Sequence, residues 1–249
     1  MRRPGLLTAR RSSGAATFDP STLSLTGWWR ADGSTGYANS TGTFDGVASA
    51  GSSGSRDLTQ GTAANRPADG TALNGHTPPD FDGTDDAVAS ASAISTFVSA
   101  SAWFFWALVN IDAIANNNAS AFSNDLVFGD SSQFFGIHLK ANGGSPLVQA
   151  YQWDGAEKKA EASISTSTWT AILARYDGTN IRLKVNNGAV QTAAAGNITT
   201  LTGTTRCSHT TTYPFNGRIA DMGVMSAAES DARWDDIRTY LNARYGVSV

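Results

Sequence analysis

Apolar and polar residues alternate with period two along much of this chain. In "YDGTNIRLKVNNGAV" (176–190), Ile181, Leu183 and Val185 fall on one side, and Arg182, Lys184 and Asn186 on the other. Such alternation predicts a strand with one buried and one solvated face. Asp177-Gly178 and Asn187-Gly188 supply the positive-φ turns that bound it. "ASAWFFWALVNID" (100–112) is instead apolar on both faces. Trp103, Phe105, Ala107, Val109 and Ile111 share one side, and Phe104, Trp106 and Leu108 the other. This predicts an inner strand covered from both directions.

"LSLTGWWRAD" (23–32) predicts the first strand. Its adjacent Trp28 and Trp29 cannot both point inward, which turns one toward a partner or the C-terminal helix. Residues 33–66, rich in Gly and Ser, read as long loops, and "PPDFDGTDDAVAS" (78–90) as a turn into a strand. Further strands are expected near 120–128, 133–140, 146–153, 168–176, 180–186 and 214–225. Asp-Gly begins at 32, 45, 69, 82, 154 and 177, and Asn-Gly at 74, 142, 187 and 216. Strands punctuated this often indicate a sandwich or jelly roll.

The period changes only at the end. Ala227, Trp234, Ile237, Leu241 and Tyr245 form a stripe at helical spacing, Ser226 and Glu229 make a capping box, and Gly246 is a stop. The expected fold is all-β: an antiparallel two-sheet jelly-roll sandwich over 18–249, closed by a helix at 226–245. It is preceded by an extended basic arm, 1–17, that shows no periodicity.

Composition refines this picture. Hydrophobic residues make up 41% of the 249, enough for a packed core, and charged residues only 16%, which suits sheets and turns better than long surface helices. Net charge is −3, which gives no argument for nucleic acid. The charge is uneven: Arg2, Arg3, Arg10 and Arg11 lie in the first eleven residues, and without them 14 basic groups face 21 acidic ones, a body of net −7. Such an arm is suited to clamp a neighbouring copy or an acidic surface, and four local arginines do not make a DNA-binding protein. The single cysteine, Cys207, allows no internal disulfide and favours a reducing compartment. The only apolar patch near the start, Gly5-Leu6-Leu7, is shorter than a signal-peptide core, and "WFFWALV" (103–109) is far shorter than a membrane span.

Three segments carry a resemblance. "FDGTDDAV" (81–88), "WTAILARYDGTNIRLKVNNGAV" (169–190) and "FNGRIADMGVMSAAESDARWDDIRTYLNARYG" (215–246) resemble the laminin-G-like branch of the concanavalin A-like lectin/glucanase jelly roll. "LTGWWRADG" (25–33) with "NRPADGTALNG" (65–75) is similar to the opening of such domains in bacterial and tailed-phage proteins. The resemblance implies a structural virion protein, a capsid decoration or minor capsid protein assembled in the host cytoplasm. It would be oligomeric in the assembly, with the arm docked on the major capsid protein or on neighbouring copies. The alternative it implies is a lectin-like carbohydrate-binding module or adhesin recognising surface glycans, as a tail or fibre component for example.

Glucanases of this fold carry their catalytic carboxyls as Glu-x-Asp-x-Glu on one strand. Retaining hydrolysis needs two such groups about 5–5.5 Å apart. The three glutamates, Glu157, Glu161 and Glu229, show no such pattern, Glu229 reads as the capping-box residue, and Asp85 and Asp86 would face opposite ways on a strand. No catalytic set is therefore expected, and the chain reads as non-enzymatic. His76, His138 and His209 lack metal-ligand spacing. For calcium, Asn124, Asp125 and Asp130 are the available oxygen donors, read first as turn residues. For a glycan, stacking aromatics flanked by hydrogen-bonding side chains are required. Gln149, Tyr151 and Trp153, with Gln152 nearby, form the best set, and Trp28-Trp29 a second.

Overall fold

The computed structural model describes residues 18–31, 43–44, 57–209 and 211–249. The arm 1–17, with Arg2, Arg3, Arg10 and Arg11, lies outside the described residues, as does most of the predicted loop region 33–66. The first strands in chain order are β1 (Gly27–Arg30), β2 (Thr43–Phe44), β3 (Leu58–Thr59), β4 (Ala68–Asp69), β5 (Pro79–Asp82) and β6 (Val88–Ala93). Next come β7 (Trp103–Ala113), β8 (Asp125–Asp130), β9 (Phe135–Lys140), β10 (Leu147–Trp153) and β11 (Glu157–Ser163). The last are β12 (Trp169–Tyr176), β13 (Asn180–Val185), β14 (Gln191–Ala194), β15 (Thr204–Cys207) and β16 (Asn216–Met225), followed by helix α1 (Asp231–Tyr245).

The strands form two antiparallel sheets. Sheet A runs β14-β13-β12-β7-β16-β5-β4, with β1 also paired to β16; sheet B runs β11-β10-β9-β8-β15-β6-β3-β2. Strand β7 sits at the centre of sheet A, between β12 and β16, and buries its first nine residues. One face, Trp103, Phe105, Ala107, Val109 and Ile111, joins the core between the sheets. The other, Phe104, Trp106 and Leu108, joins a second core under α1 with Trp234, Ile237 and Leu241. At about 1.5–3 kcal/mol for each large side chain fully buried, this strand contributes more to packing than any surface ion pair does. The tryptophan pair divides in the same way: Trp29 packs between the sheets and Trp28 under the helix.

Asp221, on β16, lies at the centre of the helix-side core and is fully buried. Its Oδ1 accepts from Trp28 Nε1 at 2.9 Å and Trp106 Nε1 at 3.0 Å. Its Oδ2 accepts from the hydroxyls of Tyr240 at 2.8 Å and Tyr245 at 3.1 Å. One carboxylate thus ties β1, β7 and α1 to β16. Burial nevertheless holds its pKa above the usual carboxylate range, against the lowering effect of those four donors. Gly223 is the neighbouring requirement: a Cβ there would fall inside the Trp106 ring.

Several expectations are corrected. The helix begins at Asp231, not 226; Ser230 is its N-cap and makes no side-chain cap bond. Ser226 and Glu229 therefore form no capping box, and Ala227 is exposed outside the helix. Arg175 Nη1 donates to the Glu229 carbonyl at 2.9 Å, which holds the approach to the helix extended. Tyr240 belongs to the buried stripe instead of Ala227. Gly246 ends the helix in the left-handed region at φ 67°, as expected. The polar face of β13 is not solvated but lies against α1: Arg182 meets Asp231 at 2.7 Å and Lys184 meets Asp235 at 3.3 Å. Strand β8 starts at Asp125 because 121–123 form a 3-10 turn. Strands β11 and β15 escaped the sequence reading: β15 is only four residues long, and β11 carries Glu-Lys-Lys where an apolar alternation was sought. Beyond the Asn187-Gly188 turn the chain returns as the short, largely exposed β14.

Asp221→Ala strands two indole N–H groups and the Tyr240 hydroxyl in a dry core, while the Tyr245 hydroxyl keeps the Ala220 carbonyl at 2.8 Å. We expect a loss of about 3–5 kcal/mol in urea unfolding, and an unchanged midpoint would contradict the role given to this carboxylate.

Candidate functional site

The outer face of sheet B carries the residues singled out for binding. On β10, Gln149, Tyr151 and Trp153 point outward, while Val148 and Ala150 enter the core. Gln152 also faces inward, where its Oε1 accepts from Trp103 Nε1 at 2.9 Å. The outward residues are not equally available, because segment 114–124 crosses this face. Ala121 N donates to Glu157 Oε1 at 3.2 Å, Lys159 Nζ donates to the Ala119 carbonyl at 2.9 Å, and Asn124 Nδ2 donates to Gln149 Oε1 at 3.0 Å. Gln149 is fully buried beneath the segment, with its Nε2 donating to Glu161 at 2.6 Å. It is a strap anchor, not a ligand contact. Tyr151 is buried too, its hydroxyl donating to the Gln133 carbonyl at 2.9 Å.

Trp153 stays half-buried at the end of β10. There Trp153, Tyr151, Phe122 and Phe134 wall a surface hollow of ≈ 200 Å³, with Ser132 and Gln133 supplying polar groups. Two signals are local. Gln133 takes a positive φ of 62°, which tightens the β8–β9 turn. Asp130 holds that turn by accepting from Phe134 N and Phe135 N, both at 2.9 Å. Tyr151 and Trp153 thus come together as expected, with Tyr151 only as the floor. Phe122 and Phe134 were missed because both fell within expected strands, 120–128 and 133–140, whereas Phe122 lies in a 3-10 turn and Phe134 in the β8–β9 turn.

The oxygen donors considered for calcium are not assembled. Asn124 and Asp125 sit at the start of β8 and Asp130 at its end. Asp125 accepts from Ala115 N at 2.8 Å and from the Asn116 side chain. These groups organise loops, and burial raises the pKa of both aspartates. A different group does converge: the carboxylate oxygens of Asp82, Asp85 and Asp86 lie within 4.8 Å of one another. The expectation that Asp85 and Asp86 diverge fails because both lie in a turn, not on a strand. Asp82 Oδ1 accepts from Thr84 N at 2.7 Å, and Asp86 Oδ2 from Asp82 N at 2.9 Å, so the cluster is also the frame of that turn.

Glu157 and Glu161 share the outer face of β11, with Lys159 between them in place of the aspartate of the glucanase pattern. Lys159 Nζ lies 2.8 Å from Glu157 and 3.7 Å from Glu161. Each carboxylate also holds a strap or β10 contact. Cys207 is buried beside Met222, and burial pushes its thiol well above the ordinary value, which leaves it no nucleophilic role.

A larger cleft of ≈ 530 Å³ lies beside α1, lined by Phe18, Arg30, His76, Tyr240 and Arg244 among others. Its cations are engaged within the protein. Arg30 covers the Trp28 ring at 4.7 Å, and Arg244 Nη2 donates to the Ala31 carbonyl at 3.3 Å.

No protein-family model matches the chain, and no curated protein sequence matches it. Solved structures do. Domain 4 of AbnA, an extracellular arabinanase from Geobacillus stearothermophilus in complex with arabinotriose, is similar at 13% identity and TM-score 0.50, over 86% of this chain and 97% of that one. A Trypanosoma rangeli sialidase in complex with the inhibitor DANA is similar at 10% identity and TM-score 0.57, over 91% of this chain. An arabinofuranosidase complexed with arabinofuranosyl-alpha-1,2-xylobiose is similar at 14% identity and TM-score 0.53, over 82% of this chain. The match spans about a third (33%) of the sialidase chain and half (51%) of the arabinofuranosidase chain. At these identities the likeness establishes a shared two-sheet β-sandwich fold.

The acidic turn gives a pH-dependent expectation. Burial, reinforced by the neighbouring aspartates, pushes the Asp86 carboxyl up from 3.8 to about 6. A carboxyl with a raised folded pKa stabilises the fold below its unfolded pKa, and that contribution is lost as pH rises through about 6. Asp86→Asn should therefore raise stability at pH 7.5 by up to ~3 kcal/mol relative to the parent, with the gain vanishing near pH 4. Urea unfolding at the two pH values measures it; an equal gain at both would contradict the account.

Proposed function

We propose that this is a non-catalytic carbohydrate-binding module that holds a saccharide ring in the hollow at Trp153. The observation that carries the reading is the meeting of four aromatic side chains from three separate segments, β10, the 114–124 strap and the β8–β9 turn, around ≈ 200 Å³ of open space with polar groups at its edge. Sugars present C–H faces that stack on aromatic rings and hydroxyls that need directional partners, and this hollow offers both. The structural neighbours support the reading, since their names describe proteins that bind or process arabinose-containing and sialic-acid-related ligands. The Glu157–Lys159–Glu161 row, whose carboxylates are engaged by Lys159, the strap and Gln149, supports a binding rather than a hydrolytic role.

The reading as a virion decoration protein rests on the sequence resemblance and on the arm, and no described residue bears on it. It is compatible with glycan binding: a particle-bound module that recognises surface glycans would satisfy both.

Titration against arabinan, xylan and sialylated oligosaccharides, followed by calorimetry, tests the proposal. Trp153→Ala should weaken binding about tenfold while leaving the melting curve nearly unchanged. Binding unaffected by Trp153→Ala, or no binding to any of these glycans, would refute the assignment.

A further inference from the structure

A second feature of the outer face of sheet B lies away from Trp153. Arg206 is on β15, and its neighbour Cys207 enters the core, so Arg206 projects outward. Its cross-strand partners are Ala89 on β6 and Gly129 on β8, neither of which reaches up beside it. The guanidinium borders a hollow of ≈ 200 Å³ lined by Gln60, Ala87, Val88 and Ala89.

Among the described residues, the other arginine side chains all have partners. Arg175, Arg182, Arg218, Arg233 and Arg238 each pair with a carboxylate, Arg66 and Arg244 donate to backbone carbonyls, and Arg30 covers the Trp28 ring. Arg206 has no carboxylate within pairing distance among the described residues, and its Nε is buried without a hydrogen-bond partner. The acid whose charge acts on it is Asp130, and the oxygens of Asp130 are engaged by the N–H groups of Ser132, Phe134 and Phe135.

A half-buried guanidinium has lost part of its hydration and has gained nothing in return. Its planar fork of donors matches a carboxylate or another compact oxyanion in two parallel hydrogen bonds. We propose that Arg206 forms an anion-binding subsite that takes the carboxylate of a uronic-acid-type sugar or the sulfate of a sulfated one. Arg206 supplies the bidentate contact, and Gln60 and Ala89 shape the hollow that receives the ring.

The subsite is distinct from the Trp153 hollow. Tyr151, Gly136, Gly129 and Arg206 follow one another in register across β10, β9, β8 and β15. Three strand spacings separate Tyr151 from Arg206, roughly 14 Å. The inference therefore stands or falls separately from the reading of Trp153.

The test is an NMR titration of the full chain with sodium glucuronate, with inorganic sulfate, and with glucose as the neutral control, all at millimolar concentration. Glucuronate or sulfate should shift the Arg206 resonances saturably, and glucose should not. Arg206→Gln should weaken that binding at least tenfold, and Arg206→Lys, which keeps the charge but not the fork, should weaken it by a smaller factor. Trp153→Ala should leave it unchanged. Both Arg206 variants change an outward-facing side chain, and circular dichroism checks that they fold. Absence of binding by both anions, binding that survives Arg206→Gln, or equal binding of glucose would overturn the proposal, whatever the outcome at Trp153.

Discussion

A single buried carboxylate organises the half of this protein that faces the helix. Asp221 receives two indole N–H groups from β1 and β7 and two hydroxyls from α1, and it does so where no water reaches it. Geometry makes this possible only because Gly223, two residues on, leaves room for the Trp106 ring. The ion pairs between sheet A and α1, such as Arg182–Asp231, lie at the rim and contribute at most about 1 kcal/mol each. Apolar burial supplies most of the attraction between helix and sheet, and the Asp221 network fixes where the helix sits. With sheet A covered by α1 in this way, the outer face of sheet B is left as the broad strand surface on which binding features collect.

That second face is built on a different principle. The strap 114–124 converts polar side chains into anchors, so Gln149, Glu157, Lys159 and Glu161 are used to hold backbone and one another. What remains open is at the ends: the aromatic hollow beside Trp153 and the unpaired guanidinium of Arg206. One offers ring faces and the other a directed positive charge. Their chemistry is complementary to that of acidic saccharides, and both lie on one sheet face.

The sequence made the fold largely legible. Period-two alternation located β13, strands were expected where β12 and β16 lie, and the doubly apolar run at 103–111 located the central strand with the residues of its two faces correctly grouped. It failed where a rule was satisfied by coincidence. Ser226 and Glu229 match a capping box, yet the chain stays extended to Ser230, held by Arg175. Arg182 and Lys184 look like a solvated face and lie against the helix. The site was legible only in part. Tyr151 and Trp153 were recognisable as aromatics two apart on a strand, but burial of Tyr151 and Gln149 depends on a loop about 30 residues away in sequence, which no local pattern encodes. Phe122, Phe134 and Arg206 are functional candidates only through what surrounds them, or, for Arg206, through the partner it lacks.

The most direct test of the account is a crystal structure of the full chain with the saccharide that binds it best. The account predicts a sugar ring stacked on Trp153 within the hollow formed with Phe122 and Phe134, its hydroxyls turned toward Ser132 and Gln133. A ring bound instead in the cleft beside α1, near Phe18 and Tyr240, would contradict it.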